Sequence, residues 1–532
     1  MQRLTLFSPT PPDLSAFGVR SLQASLKAAG CDVRLVLLPG SIGRLREDGS
    51  FAYRYPDRLV GQALELAAGS DLVGVSFFTS YFDRAVQLTR AVRERLGLPV
   101  VWGGIHATLR PEEGLSHADF VCRGEGEEAL PALLDALVRG RGAEAVPGIW
   151  CRHGEEIVDN GLAPLVADLD SLPFFDFSGD NQYVHAPEAG RIVPLSPGVL
   201  RRALPQVPYR HGRLLRVYRT MTDRGCPHHC AYCNVPTVKA LFRPGPTPYF
   251  RHRSVGHVLA ELRDVTRRYP FIQGVQLFDD TFFSRSLAWI EAFAAAYKAD
   301  IGLPLFCQAS PATLEAQKLD ALIEAGLCYV EMGIQTGSPK MRALYRRPES
   351  DGQVLSGATL LHARQGRLLP PDYHVIIDAP WEDEEDLLAT VRLLARLPKP
   401  FGLAIASLLF FPDTALYAKA RAEGRLADEA ADIYRRPFFI PPRRTYAGFL
   451  LYLLTFRRIP KRLLALLQTP RAMAIGKRLE RSPVYKIIYV LGEGCRLAAK
   501  GADALRHGNV SRITGWLGRL WRRDPVAAGR KR

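Results

Sequence analysis

Arg224-Gly225-Cys226-Pro227-His228-His229-Cys230-Ala231-Tyr232-Cys233 sets three cysteines in a C-x3-C-x2-C run. The spacing offers three thiolates from one tight loop and no evident fourth. A [4Fe–4S] cluster held by only three cysteines leaves one iron open to another ligand. Catalytic metal sites follow the same logic, keeping free the coordination position that structural sites close. A zinc ion completed by His228 or His229 is the alternative these residues permit.

The other cysteines are scattered singly and bring the total to an odd nine. That pattern is no disulfide framework and suits a reducing, cytoplasmic compartment. With 532 residues and a hydrophobic fraction of 47%, the chain exceeds one ordinary core and points to about two to four domains. Its start, Met1-Gln2-Arg3-Leu4-Thr5-Leu6-Phe7-Ser8-Pro9, reads as a strand and lacks the apolar run of a signal peptide. No apolar stretch approaches the roughly 20 residues of a membrane span. The net charge of +16 is uneven: Arg443–Arg532 holds 21 Lys or Arg against four acids (Glu480, Glu493, Asp503 and Asp524), a balance of +17, so residues 1–442 carry about −1. The basic character belongs to the tail, and nucleic-acid binding across the protein is not expected.

Apolar runs alternate with helical patterns from the first residues, as in parallel βαβ units. The spacing predicts strands at Leu4–Phe7, Val33–Leu37, Leu72–Ser76, Val100–Trp102 and Phe120–Cys122, with helices such as Arg20–Ala29 and Phe82–Leu96 between them. A five-stranded doubly wound sheet follows, with its ligand at the carboxyl ends of the strands. Those ends read Ser76-Phe77-Phe78-Thr79, Gly103-Gly104-Ile105-His106 and Gly124-Glu125-Gly126-Glu127. Glycines there let the backbone approach a large ligand without an intervening Cβ. Residues 146–218 then read as a connector, with a hairpin at Ile149–Cys151 and Glu156–Val158 and a Pro- and Gly-rich passage beyond it.

After the cysteine loop, Ser254–Tyr269 has helical apolar spacing, and strands are expected at Gly274–Phe278, Leu305–Gln308, Tyr329–Ile334, Tyr373–Ile377 and Gly402–Leu409. Repeated βα units over residues 219–440 suggest a partial TIM-like (β/α)6 barrel, whose functional groups lie at the carboxyl ends of its strands. Asp279-Asp280 and Gly333-Ile334-Gln335-Thr336-Gly337-Ser338 stand at two such ends. Asp and Ser are also good helix N-caps, so ordinary βα turns are the alternative for both.

The cysteine run, with Tyr232 just before the third cysteine, resembles the signature of radical S-adenosylmethionine (SAM) enzymes. The strand ends of residues 1–145 resemble the cobalamin-binding domain that precedes the radical SAM core in a large class of these enzymes. A flavodoxin-like domain with another ligand, or none, is the alternative. The resemblance implies that Cys226, Cys230 and Cys233 hold the cluster, whose open iron is chelated by SAM. It implies that Asp279 or Asp280, together with Gly333, Gln335, Ser338 and Tyr232, lies at SAM, although family members often carry Gly-Gly-Glu at the acid pair and Glu at Gln335. It further implies that Ser76, Thr79, Gly103, Gly104, His106, Gly124 and Glu125 line cobalamin. A D-x-H-x-x-G motif is absent, so His106 is not expected to ligate cobalt.

The implied activity is reductive cleavage of SAM to a 5′-deoxyadenosyl radical and methylation of an unactivated carbon, with a small-molecule or lipid substrate and a reductant such as flavodoxin or ferredoxin. Cyclisation or rearrangement without methyl transfer is a second reading, and a non-catalytic cluster- or metal-binding module on a membrane is a third. In the tail, residues 441–532, the segments Tyr446–Phe456, Leu463–Leu467 and Val484–Leu491 are apolar and bordered by Lys and Arg, with Trp516 and Trp521 near the end. Such helices either lie peripherally on the inner face of a membrane or cap the barrel. The last residues, Asp524–Arg532, are expected to be disordered.

Overall fold

The computed structural model describes residues 2–9, 14–39, 43–45, 51–187, 189–243, 245–435, 445–457, 459–480 and 482–506. Trp516, Trp521 and Asp524–Arg532 lie outside these residues. Strands β1 (Arg3–Ser8), β2 (Asp32–Leu37), β3 (Leu72–Ser76), β4 (Val100–Gly103) and β5 (Phe120–Cys122) pair in parallel in the order β2-β1-β3-β4-β5. They are mostly apolar because both faces are covered, with Thr5 and Arg34 as interruptions. Leu4 and Leu6 of β1 pack in the core beneath the helices Phe17–Ala28 and Gly126–Val138, whereas Phe7 joins Val73, Val75 and Trp102 beneath Asp57–Ala67 and Phe82–Leu96. The strand order reverses between β1 and β3, the switch point where doubly wound sheets bind ligands.

Among the described residues the sheet has nine strands, where five were expected. β6 (Ile149–His153) and β7 (Glu156–Val158) form the anticipated hairpin, and it pairs antiparallel onto β5. At the opposite edge, β8 (Gln182–Ala186) runs parallel to β2, and β9 (Arg191–Pro194) turns back antiparallel onto β8. The residues read as a connector therefore complete both edges of the first sheet. In β8 only alternate residues are buried, so no long apolar run announces the strand.

The same stretch opens the second sheet. β10 (Gln206–Pro208) pairs antiparallel with β11 (Leu214–Thr220), and parallel pairing then follows chain order through β12 (Gly274–Leu277), β13 (Leu305–Ala309), β14 (Leu327–Gln335), β15 (Asp372–Ile377) and β16 (Gly402–Ser407). Six parallel strands with intervening helices make the expected partial barrel, but its first strand, β11, precedes the cysteine loop and starts before residue 219. Side chains of Ser254, Ser286, Ser350 and Asp383 cap the N-termini of its outer helices, each a contribution of about 1 kcal/mol.

Two polar seams lock the domains together. In one, the Arg224 guanidinium lies 2.9 Å from Glu125 and 2.5 Å from Glu127, while Arg251 pairs with both Glu125 oxygens at 2.6 and 3.0 Å. In the other, Arg110 meets Asp413 at 3.3 Å and Glu429 at 3.2 Å, Tyr434 donates to Glu113 at 2.8 Å, and Arg435 pairs with Asp83 at 2.8 Å.

The tail divides in two. The helix Tyr446–Leu454 is core: Ala447, Leu450, Leu451 and Leu454 are fully buried, and the helix packs against Glu384–Arg396. For this segment the cap holds and the interfacial expectation is corrected. Its apolar residues surround the helix instead of forming one stripe, the mark of a buried helix. The helices Lys461–Leu467, Pro470–Leu479 and Val484–Arg506 pack outside it. No helix among the described residues is long and apolar enough to cross a membrane.

Candidate active site

The cysteine loop leaves the carboxyl end of β11 and runs into the helix Asn234–Leu241, whose N-cap is Cys233. Its centre is pinned to the barrel by backbone bonds: Ala231 donates to the Tyr345 carbonyl at 2.9 Å and accepts from the Leu416 amide at 3.0 Å. The Tyr232 ring meets Tyr345 edge-on at 5.3 Å. Cys230 is buried, and Cys226 and Cys233 are half-buried. Burial pushes the Cys226 thiol up to about 11 and the Cys233 thiol up to about 12, with the Asp280 charge adding to both. Ionising these thiols therefore requires a compensating cation, which iron supplies. Donors already face the sulfurs: the Val235 amide lies 3.4 Å from Cys233 Sγ, and Arg347 Nη1 lies 3.6 Å from Cys230 Sγ. Among the described residues, no three His, Cys, Asp or Glu side chains are grouped to hold a single metal ion.

Arg347 escaped the sequence reading. Its guanidinium also donates to the Gly333 carbonyl at 2.9 Å and pairs with Glu349 at 2.7 Å, and Glu349 in turn accepts from Ser310 at 2.5 Å. One buried cation thus ties the cysteine loop to the end of β14. Nothing in Arg346-Arg347-Pro348-Glu349 distinguishes it from an ordinary charged turn.

The acid pair separates into two roles. Asp279 is fully buried, and its oxygens accept from the Thr222 amide at 2.5 Å, the Thr222 hydroxyl at 2.7 Å and the Asp223 amide at 3.1 Å. It holds the end of β11, just ahead of the cysteines. Asp280 is exposed, close enough to Cys226 and Cys233 for its charge to act on both, and desolvation by the surrounding protein, with the Asp279 charge, pushes its carboxyl up to about 6. The Gly333–Ser338 loop divides likewise. Ser338 caps the helix Pro339–Leu344 and donates to Asp386 at 2.6 Å, so its hydroxyl serves the fold, as the N-cap alternative anticipated. Gln335 sits at φ +68°, and Asp378 and Asp413 on the next strand ends at +63° and +61°. Left-handed backbone at non-glycine residues is costly and gathers at functional sites.

In the first sheet the strand ends are small and apolar. A Cβ on Gly103 would meet nothing within 4 Å, whereas one on Gly104, at φ +89°, would fall 2.8 Å from the Phe77 carbonyl. Open space therefore borders Gly103, with Ser76 half-buried nearby and Phe78 exposed by 50%. His106 is fully buried, bonded through Nδ1 to Thr79 at 3.2 Å and packed against Phe77, Phe82 and Tyr434. Burial, with the nearby Arg110 charge, lowers its pKa to about 3, so it stays neutral at physiological pH. Gly124, at φ +107°, faces Phe242 and Ala163. Glu125 does not line an open cradle: Arg251, Arg224 and the Val166 amide take up its carboxylate, and against the cost of burial they hold it below the usual range. Glu125, expected beside cobalamin, is thus also a latch between the domains, held by half-buried Arg224 and buried Arg251.

A half barrel with a three-cysteine loop, set against a flavodoxin-ordered sheet with open strand ends, defines a class of two-cofactor enzymes, and the comparisons agree. Residues 222–394 match the radical SAM superfamily and residues 5–134 the B12-binding domain. An uncharacterized methyltransferase of Pyrococcus horikoshii is 24% identical over 67% of this chain and 70% of its own length. The anaerobic magnesium-protoporphyrin IX monomethyl ester cyclase of Synechocystis is 28% identical over 50% of this chain and 44% of its own length. Among solved structures, the radical SAM methyltransferase TsrM of Kitasatospora setae, with cobalamin and a [4Fe–4S] cluster bound, superposes with a TM-score of 0.60 at 16% identity, covering 80% of this chain and 78% of TsrM. The chain belongs to the radical SAM enzymes that carry a cobalamin-binding domain.

Proposed function

We propose that this enzyme methylates an unactivated carbon of a small-molecule or lipid substrate. The observation that carries the reading is the seam at Arg224: the residue two before Cys226 is clamped to the strand-end loop of the B12-binding domain, so both cofactor sites share one mouth. When bound, the cluster and SAM supply a carbon-centred radical, and cobalamin supplies methyl transfer. The chain's own residues hold and orient. Cys226, Cys230 and Cys233 ligate iron, and Arg347 keeps that loop in register with β14. Asp280, the acid with a free carboxylate, receives the SAM ammonium, while Asp279 and Ser338 keep their loops in shape. Gln335 and the Gly333 backbone border SAM, and Tyr232 fixes the loop through Tyr345. Ser76, Phe78, Gly103 and Gly104 leave room for the corrin, with Thr79 and His106 beneath them and Gly124 at the side nearer the barrel. A reductant of flavodoxin or ferredoxin type delivers the electron.

The test uses anaerobically reconstituted protein, a reductant and SAM labelled with deuterium in its methyl group, incubated with producer-cell extract. The expected result is 5′-deoxyadenosine together with a metabolite that carries the label. Similarity to an ester cyclase favours a second reading, ring formation without methyl transfer, for which 5′-deoxyadenosine appears and the product stays unlabelled. Absence of SAM-dependent 5′-deoxyadenosine overturns both.

A further inference from the structure

Ten large apolar side chains are exposed among the described residues, and seven of them stand on the three outer tail helices. Leu463 and Leu466 lie on the first, Ile475 and Leu479 on the second, and Ile487, Val490 and Leu491 on the third, with exposures reaching 65% at Val490. Each set is spaced three or four residues apart, so each helix turns one apolar stripe outward. Arg462, on the first helix, and Arg471 and Arg478, on the second, are exposed and form no ion pair among the described residues. On Pro470–Leu479 the order Arg471, Ile475, Arg478, Leu479 interleaves charge and apolar surface along one face.

Two acids of this region, Glu480 and Glu493, face the other way. Glu480 accepts from the Tyr446 amide at 2.6 Å, and Glu493 accepts from the Tyr452 hydroxyl at 3.2 Å, both toward the buried helix. Glycines lie on that inner side: a Cβ on Gly476 would strike the Tyr446 ring at 2.2 Å, and one on Gly492 the Tyr452 hydroxyl at 2.4 Å. Glu480, Glu493, Gly476 and Gly492 are thus spent on packing, while Arg462, Arg471, Arg478 and the aliphatic stripes stay outside.

We propose that this face docks the enzyme on an anionic lipid bilayer, with the three helices lying in the interface. A surface with aliphatic side chains among unpaired cations is complementary to acyl chains beneath anionic headgroups. A second copy of the chain is a poor occupant, because apposing two such faces brings like charges together, and the region carries +17 by sequence.

The experiment is co-sedimentation of the full-length enzyme with phosphatidylglycerol–phosphatidylcholine vesicles and with pure phosphatidylcholine vesicles, across a salt series. Binding is expected to the anionic vesicles only and to weaken as salt rises. The triple variant Arg462→Glu, Arg471→Glu, Arg478→Glu should lower the partition coefficient more than about a hundredfold, since each surface cation contributes about fivefold. Leu466→Ser, Ile475→Ser and Val490→Ser together should remove the part of the binding that survives high salt. All six positions are exposed, so the iron content and circular dichroism of both variants should match the parent. No sedimentation of the parent with anionic vesicles, or equal sedimentation of both variants, overturns the proposal. Concentration-dependent dimerisation abolished by the variants, without vesicle binding, assigns the face to a second copy instead.

Discussion

The strand ends of the half barrel and those of the first sheet are joined by the Arg224–Glu125 seam but are built by opposite means. The barrel presents chemistry: a three-thiol loop and a buried cation at Arg347, both held by bonds to neighbouring loops, and a free carboxylate at Asp280. The first sheet presents absence: glycines, one exposed phenylalanine and a histidine sealed away from the mouth. A cluster must be ligated by particular atoms, whereas a corrin is accommodated by shape. Substitutions should therefore act sharply on the barrel side and gently on the other.

The largest effect is expected at the cysteines. Replacing Cys226, Cys230 or Cys233 by Ala should abolish both the cluster and SAM cleavage, because three thiolates are the minimum set. A variant that keeps about four irons per chain together with radical activity would break the barrel half of the comparison.

Asp280 comes next. Asp280→Asn should weaken SAM binding to the cluster-loaded enzyme about 10- to 100-fold, the worth of a charge-assisted hydrogen bond. Asp279→Asn should instead lower the melting temperature, since its oxygens hold the Thr222 and Asp223 amides. Burial raises the Asp280 pKa to about 6, so the acid is neutral below that pH and anionic above it. Affinity for SAM should rise with pH through about 6 in the parent and lose that dependence in Asp280→Asn. Calorimetric titration at several pH values separates these outcomes, and an unchanged profile in Asp280→Asn would return the contact to Asp279.

A smaller effect is expected at Arg347. A cation near a cluster sulfur favours the reduced, more negative state, so Arg347→Gln should move the reduction potential to more negative values while iron content stays constant. Potentiometric titration followed by electron paramagnetic resonance reads this directly. An unmoved potential would make Arg347 a purely structural tie.

For His106 the expected effect on cobalt is none. Its ring is packed against Phe77, Phe82 and Tyr434, so His106→Ala should leave the Co(II) paramagnetic spectrum unchanged. Nitrogen coupling that vanishes in this variant would erase the contrast between the two sides.

The same contrast governs what the sequence makes legible. Cys226, Cys230 and Cys233 stand out in the sequence because thiolate chemistry admits few substitutes, and β1 to β5 because burial on both faces favours apolar residues. β8 and β11 do not, since Gln182–Ala186 alternates at a sheet margin and Leu214–Thr220 carries two arginines within its seven residues. Asp279 and Ser338 could be placed at strand ends, but whether such an acid or hydroxyl serves a cofactor or a cap depends on neighbours distant in sequence: Thr222 for one, Asp386 for the other. The ion pairs of Glu125 are hidden for the same reason, its arginines lying about 100 and 126 residues away.

The return of β8 and β9 to the edge of the first sheet makes the protein hard to cut. A fragment ending at residue 145 would carry every strand expected of a cobalamin-binding domain, yet β2 would lose the partner it finds at Val184↔Leu37 and β5 the one at Val121↔Trp150. Two bare sheet edges invite self-association, so an excised domain should precipitate where the whole chain stays in solution. During synthesis the first sheet cannot close until residue 194 has emerged, and the cysteine loop follows only some 30 residues later. The two cofactor modules therefore mature as one piece, and an exchange of modules between relatives must carry this returning hairpin with the strands it covers.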